Sequence, residues 1–374
     1  MHLYIHIPFC RQACHYCDFH FSTSLQRKEE VVLAIAQEIK LQANYLANKT
    51  LETIYFGGGT PSLLEEKDFE YIFTQIYSTF SVTTDAEITL EANPDDLTLE
   101  KLQLFNKVGI NRLSIGIQSF NDEHLKKLHR IHSGGEAHRC VSMAQDVGIT
   151  NLSIDLIYAI PSDSHAILHE DLAKATSLGV THISAYCLTI EPQTVFGKWL
   201  KQRKIAAIDD EFASQQFEIL LSHLNEQGFE QYEISNFAKN EAYSRHNTSY
   251  WKQEEYLGVG PSAHSFNHIS RQYNVANNAQ YLKAMSQNQI PAEVEVLTKE
   301  DRFNEYLLTG LRTKWGCDLT RLDGLIGTDF RQFSKTILDE QLHEGLILLD
   351  GTTMRLTNKG KLFADKIVSD LFLA

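Results

Sequence analysis

No stretch of about 18 uncharged apolar residues, the length a bilayer-spanning helix requires, occurs anywhere in the 374 residues. The basic segment and apolar core of a secretory signal peptide are also missing, so the sequence predicts a cytoplasmic protein. Basic charge is short: 34 Lys and Arg stand against 48 Asp and Glu, a formal net charge of −14. No chain-wide positive field exists to draw in nucleic acid or anionic lipid. Cysteine is scarce too, and six in all do not make a disulfide framework in a chain this long. Cys140, Cys187 and Cys317 stand alone among apolar neighbours, where buried free thiols are common. Low-complexity tracts and repeats beyond a strand-helix period are absent. The 43% hydrophobic content that remains is ordinary and suffices for an enzyme-sized core plus a smaller one.

The other three cysteines sit together. Leu3 to Phe19, LYIHIPFCRQACHYCDF, is a short apolar strand running into a loop with Cys10, Cys14 and Cys17 spaced C-x3-C-x2-C. Structural zinc and [4Fe-4S] clusters usually take four protein ligands, so three thiolates suggest a site left one ligand short. A Cys3His zinc can be drawn with His6, His15 or His20. A thioredoxin-like dithiol would need only Cys14 and Cys17, and c-type haem attachment fails because Asp18 stands where that motif needs histidine.

Apolar, β-branched or aromatic runs recur at Leu3 to Ile7, Thr53 to Phe56, Ala86 to Glu91, Arg112 to Ile117, Asn151 to Ile157 and Thr181 to Leu188, with helical spacing between them. Such alternation predicts an α/β fold of parallel strands with crossover helices. Polar or glycine-rich residues fall at the strands' C-terminal ends: the cysteines, Gly57-Gly58-Gly59-Thr60-Pro61, Glu91, Gln118, Asp155 and Thr189. In a βα barrel those ends meet at one mouth. Consecutive glycines allow close backbone approach to a ligand, although a turn without one needs them as well. Buried Glu91 and Asp155 require partners, and Arg112 and Arg130 are the candidates for internal salt bridges.

The alternation weakens after Ile190. A helix is expected through Asp209 to Gln227, then a loop-rich passage from Gly228 to Asn278. Beyond Pro291 come helices at Arg302 to Leu311, Asp318 to Ile326 and Phe330 to Glu344, and a hairpin at Asp350-Gly351. That order suits a mainly helical, winged-helix-like domain. Its acidic and basic side chains balance, which argues for packing or partner docking over a DNA groove.

Cys10-Arg-Gln-Ala-Cys14-His-Tyr-Cys17, preceded by Tyr4-Ile-His-Ile-Pro-Phe9, resembles the signature of the radical S-adenosylmethionine (SAM) superfamily. Within it, the stretch is similar to the oxygen-independent coproporphyrinogen oxidase group and its relatives, the HemW-type haem chaperones. The resemblance implies a partial (β/α)6 TIM-like barrel whose Cys10, Cys14 and Cys17 hold three irons of a [4Fe-4S] cluster while SAM chelates the fourth. Matched position by position, it implies SAM contacts at Tyr4, Gly58, Gly59, Thr60, Glu91, Gln118, Arg130 and Asp155. Arg245-His246-Asn247-Thr248-Ser249-Tyr250-Trp251 resembles the chaperones' haem-associated H-N-x-x-Y-W string, so His246 is the haem candidate; an imidazole can ligate iron and the aromatics can cover a porphyrin. The oxidase branch has a further cysteine where this chain has Phe19, and an N-terminal extension before its first strand. Both departures favour the chaperones, with coproporphyrinogen III oxidation as the alternative. The expected organisation is a barrel over 1–235, a linking region over 236–295 and the C-terminal domain over 296–374. The implied partners are haem, haem-acceptor proteins including membrane-bound respiratory enzymes, and a second copy in a cluster-dependent dimer.

Overall fold

The six apolar runs form strands, each joined to the next by a crossover, in the computed structural model, which describes residues 1–373. Strands β1 (His2–Ile7), β2 (Thr50–Gly58), β3 (Ser81–Ala92), β4 (Arg112–Gln118), β5 (Asn151–Tyr158) and β6 (His182–Cys187) lie side by side in chain order, all parallel. Parallel neighbours cannot be joined by a tight turn. The crossovers use α1 (Lys28–Leu41), α2 (Glu66–Thr79), α3 (Leu99–Lys107), the pair α4 (Asp122–Lys127) and α5 (Gly134–Asp146), and α6 (Ala166–Ser177).

Successive strand side chains point to opposite faces, and here the two faces differ in chemistry. Leu3, Ile5, Ile54, Phe56, Leu90, Leu113, Ile115, Leu152, Ile154 and Ile183 join the helices in one continuous apolar core. Burying each such side chain contributes about 1.5–3 kcal/mol. The alternate positions, among them Thr53, Glu87, Arg112, Ser153 and His182, are equally buried but polar. The strands therefore carry a polar interior inside an apolar wall, and it is this interior that positions the site.

The sheet is open. After α7 (Val195–Lys201) and α8 (Asp210–Glu226), β7 (Glu230–Gln231) and β8 (Asn236–Ala238) extend it antiparallel beyond β6. The passage expected to be loop-rich contains these strands, helix α9 (Arg245–Trp251), and β9 (Tyr256–Val259), β10 (His264–Phe266) and β11 (Ser270–Asn274). Strand β9 pairs parallel with β1 outside the six. Helix α10 (Asn278–Met285) precedes β12 (Ala292–Val296), the far edge of the twelve-stranded sheet. These strands were hidden because runs of three to five residues show too little periodicity to separate from loop.

The C-terminal part is mainly helical: α11 (Lys299–Leu311), α12 (Leu319–Ile326), α13 (Phe330–Phe333), α14 (Lys335–His343), α15 (Asn358–Lys361) and α16 (Ala364–Asp370) surround a small sheet. Its strands are β13 (Cys317–Asp318), β14 (Ile347–Asp350) and β15 (Thr353–Leu356), and the last two form the hairpin expected at Asp350-Gly351. Phe303, Leu307, Phe330, Met354 and Ile367 give it a core of its own. No helix among the described residues is long and apolar enough to cross a membrane.

Candidate functional site

The C-terminal ends of the strands surround a cavity of about 620 Å³. Its rim begins where β1 runs into the cysteine loop. The loop's base is held to its own far end by Cys10 N–H donating to Ser22 O at 3.0 Å and Ser22 N–H to Pro8 O at 2.9 Å. It is held to β2 by Gly59 N–H donating to Ile7 O at 2.9 Å and Thr60 N–H to Phe9 O at 2.7 Å. A Cβ on Gly59 would lie 2.6 Å from Phe9 O, and one on Gly58, whose φ is +102°, 2.4 Å from the His6 ring. Both glycines are thus required simply to bring β2 against the loop.

Cys10, Cys14 and Cys17 are free, half-buried thiols lining the cavity. Thr60 Oγ1 donates to Cys10 Sγ at 3.3 Å and Arg130 Nη1 to Cys14 Sγ at 3.6 Å. Burial pushes the Cys10 thiol up to about 12 and the Cys17 thiol to about 11, so metal loading here releases protons. Two of the histidines of the zinc alternative are engaged elsewhere. His6 bonds the Tyr4 hydroxyl at 3.1 Å and His20 O at 2.9 Å, and His20 bonds Asn278 Oδ1 at 2.8 Å. Among the described residues no group of three or more His, Cys, Asp or Glu is gathered closely enough for one metal ion.

Glu91, Gln118, Arg130 and Asp155 line the same cavity. Glu91 accepts from Tyr55 OH at 2.8 Å and Gly58 N–H at 3.1 Å, and Asp155 from Ser114 Oγ at 3.3 Å. Both carboxyls open onto the cavity but lie deep in the fold, and that depth pushes Glu91 up to about 7 and Asp155 to about 6. Neither makes the salt bridge considered from sequence. Arg112 approaches Glu87 instead, at 3.9 Å, with its Nη2 unbonded. Arg130 Nη2 donates to Asn93 Oδ1 at 2.6 Å and Gly116 O at 2.7 Å, so no carboxylate is bonded to this deep-set guanidinium. Gln118 has φ +68°, a strained value for a residue with a side chain, at the register shift that ends β4. Asn93 and the Tyr186 ring also face the cavity and were missed from sequence. Asn93 had a signal, standing two places after Glu91.

Two expected residues lie elsewhere. Tyr4 packs one layer beneath, its ring 2.9 Å from where a Gly57 Cβ would be. His246 is 1% exposed, below the cavity on the polar interior, where α9 packs against β2. Its Nδ1 is 2.6 Å from Thr53 Oγ1 and its Nε2 2.8 Å from Tyr250 OH, while its backbone N–H donates to Glu87 Oε1 at 3.1 Å. Its ring stacks on Tyr55 at 4.9 Å and lies 6.4 Å from Tyr4. Burial holds this imidazole well below its ordinary range, hence neutral. The residues expected for SAM and for haem are therefore neighbours through Tyr4.

Residues 4–175 match the radical SAM superfamily, and residues 297–363 match the HemN C-terminal domain. The chain is 33% identical to the haem chaperone HemW of Bacillus subtilis over 97% of each chain. It is 33% identical to HemW of Mycobacterium tuberculosis, covering 99% of this chain and 94% of the other. HemW of Escherichia coli is 37% identical over 70% of this chain and 69% of its own. Coproporphyrinogen III oxidase (HemN) from Escherichia coli, a radical SAM enzyme, superposes with a TM-score of 0.86 over 99% of this chain and 89% of its own, at 22% identity, a likeness of fold alone.

Proposed function

Because the chain belongs to the HemW haem-chaperone family of the radical SAM superfamily, we propose that it binds haem and passes it to acceptor proteins, with a [4Fe-4S] cluster and SAM in the barrel mouth. The observation that supports the mouth most directly is the convergence of the three loop thiols, the Arg130 guanidinium without a bonded carboxylate and the Glu91 and Asp155 carboxyls on one cavity. Thiolates spread around a cavity suit a cube of irons and sulfides better than a single zinc. Arg130 would hold the SAM carboxylate, and Glu91 and Asp155 would offer their negative charge to its cationic part. When bound and reduced, the cluster supplies an electron for SAM cleavage. The chain's own residues hold both groups and limit water. His246 has both ring nitrogens committed, so it reaches an iron only if α9 withdraws. The cytoplasm is the proposed site of action, with respiratory membrane proteins among the acceptors and a cluster-dependent dimer as the assembled state.

Haem titration and a coproporphyrinogen III assay on one anaerobically cluster-loaded sample test this reading. Phe19 stands where the oxidase has a cysteine and is 71% exposed at the cavity rim. The expected result is haem binding at about one per chain with no protoporphyrinogen formed. Robust coproporphyrinogen turnover would instead establish the oxidase.

SAM affinity should also depend on pH. Glu91 is held up to about 7 and Asp155 to about 6, so both are largely protonated at pH 5.5 and ionised at pH 8. A sulfonium cation binds the ionised form better, so affinity rises with pH, by about tenfold between pH 6 and 8 for one such group. Calorimetric titration of cluster-loaded wild type and Glu91→Gln checks this. A flat wild-type profile, or the same slope in the variant, contradicts the assignment.

A further inference from the structure

With His246 enclosed, the chain's available imidazoles lie elsewhere, and two of them form a pair on the outer side of the cysteine loop. His15, between Cys14 and Cys17, stacks on His129, which follows α4, with ring centroids 4.3 Å apart and planes 3° from parallel. The two segments are locked together. His15 Nδ1 is 3.2 Å from Lys127 O, His129 Nδ1 is 2.8 Å from Ala13 O, and the His15 backbone N–H donates to Leu128 O at 3.2 Å. A carbonyl can only accept, so each Nδ1 carries a proton, which leaves Nε2 as the lone-pair nitrogen of the neutral ring. Donation from one ring nitrogen to a backbone carbonyl is the arrangement that fixes an imidazole as a metal ligand through the other.

The surroundings narrow the ligand. Trp199 of α7 meets His15 edge-on at 4.7 Å and Phe196 lies 5.6 Å away, while His129 and Ile131, the latter 53% exposed, face solvent. Each lone pair lies in the plane of its own ring, and two separate, parallel planes do not meet at one small ion. One ring can serve as an axial ligand while the other buttresses it. Residues 124–132 and 195–204 contain no acidic side chain and between them carry Lys126, Lys127, Arg130, Lys198, Lys201, Arg203 and Lys204, in a chain of net charge −14; the acids of α4, Asp122 and Glu123, stand in its first turn. A flat, apolar, dianionic metal chelate suits this chemistry better than a free divalent cation. We infer that the His15–His129 face is a docking site for an iron porphyrin, with His129 Nε2 as axial ligand, the half-buried Trp199 and exposed Ile131 against the macrocycle and the lysines of α4 and α7 toward its propionates. The inference rests on the haem-chaperone reading and gives it a site beside the cluster loop, open without movement of α9.

The test is a titration of the cluster-loaded full chain with ferric protoporphyrin IX, followed by difference absorbance and by the low-spin ferric resonance signal. His129 has φ +61°, a value asparagine tolerates, so His129→Asn removes the imidazole without straining the backbone. His268 is exposed with φ +66°, and His268→Asn is the matched control. Expected are a loss of affinity of about tenfold or more and disappearance of the low-spin signal in His129→Asn, restoration of the signal by added imidazole, and no change in His268→Asn. Wild type that binds porphyrin with His129→Asn superimposable on it overturns the site alone, as does a loss in His129→Asn that imidazole fails to restore. Wild type that binds no porphyrin overturns the chaperone reading and the site with it.

Discussion

Cys14→Ala is expected to abolish the iron-sulfur cluster while leaving the barrel folded, taking anaerobically reconstituted protein from about four irons per chain to nearly none. The loop offers the cluster three cysteines; Cys140 is buried on α5, Cys317 belongs to the C-terminal core, and Cys187, at the end of β6, lines the same cavity outside the loop. Two thiolates would leave two irons without protein ligands. The fold should persist because the loop is anchored by backbone bonds at Cys10, Ser22, Gly59 and Thr60, none of which involves the Cys14 side chain. Cys140→Ala is the control: its thiol is buried against Ala137 O on α5, so the change trims packing by about 1 kcal/mol and leaves iron content alone. Iron and sulfide analysis with absorbance reads both variants. Four irons retained in Cys14→Ala, or stoichiometric zinc in the wild type, would sink the cluster assignment.

The six parallel strands were legible because burial selects the residues that make them. Apolar runs marked the buried stretches, and the structure adds exposed ends the pattern could not include: β2 starts at Thr50 and β3 at Ser81, both exposed. The mouth residues were legible for a topological reason, since parallel strands bring their C-terminal ends to one side whatever their separation in sequence. Ten of the expected residues, from Cys10 to Asp155, do line one cavity. Depth along a strand was not legible. Tyr4 and His246 have suitable chemistry, yet whether a residue faces the mouth or the closed end depends on register between strands and on where α9 docks. The pairing of His15 with His129 was equally hidden, being a contact between loops 114 residues apart.

Arg112 shows what that concealed interior depends on. It is 2% exposed and is a shared cation for three carboxyls on two strands: it approaches Glu87 of β3 at 3.9 Å and draws Glu91 of β3 and Asp155 of β5 downward against the burial that raises them. Replacing it by leucine leaves acidic groups buried without that charge, a change that typically costs about 3–5 kcal/mol. The pH dependence gives the claim its sign. A carboxyl raised in the fold stabilises at low pH, where folded and unfolded chains are both protonated, and that contribution is lost as pH rises through the folded value. For Glu91 and Asp155 the loss runs upward from the ordinary carboxylate range to about pH 6–7, and without Arg112 both values move higher still. The penalty of Arg112→Leu should therefore be larger at pH 8 than at pH 5.5, whereas a merely steric defect would be the same at both. Chemical denaturation followed by circular dichroism at the two pH values measures it. A penalty independent of pH, or larger at pH 5.5, would mean that Arg112 acts by filling space and that the cavity carboxyls are held by their hydrogen bonds alone.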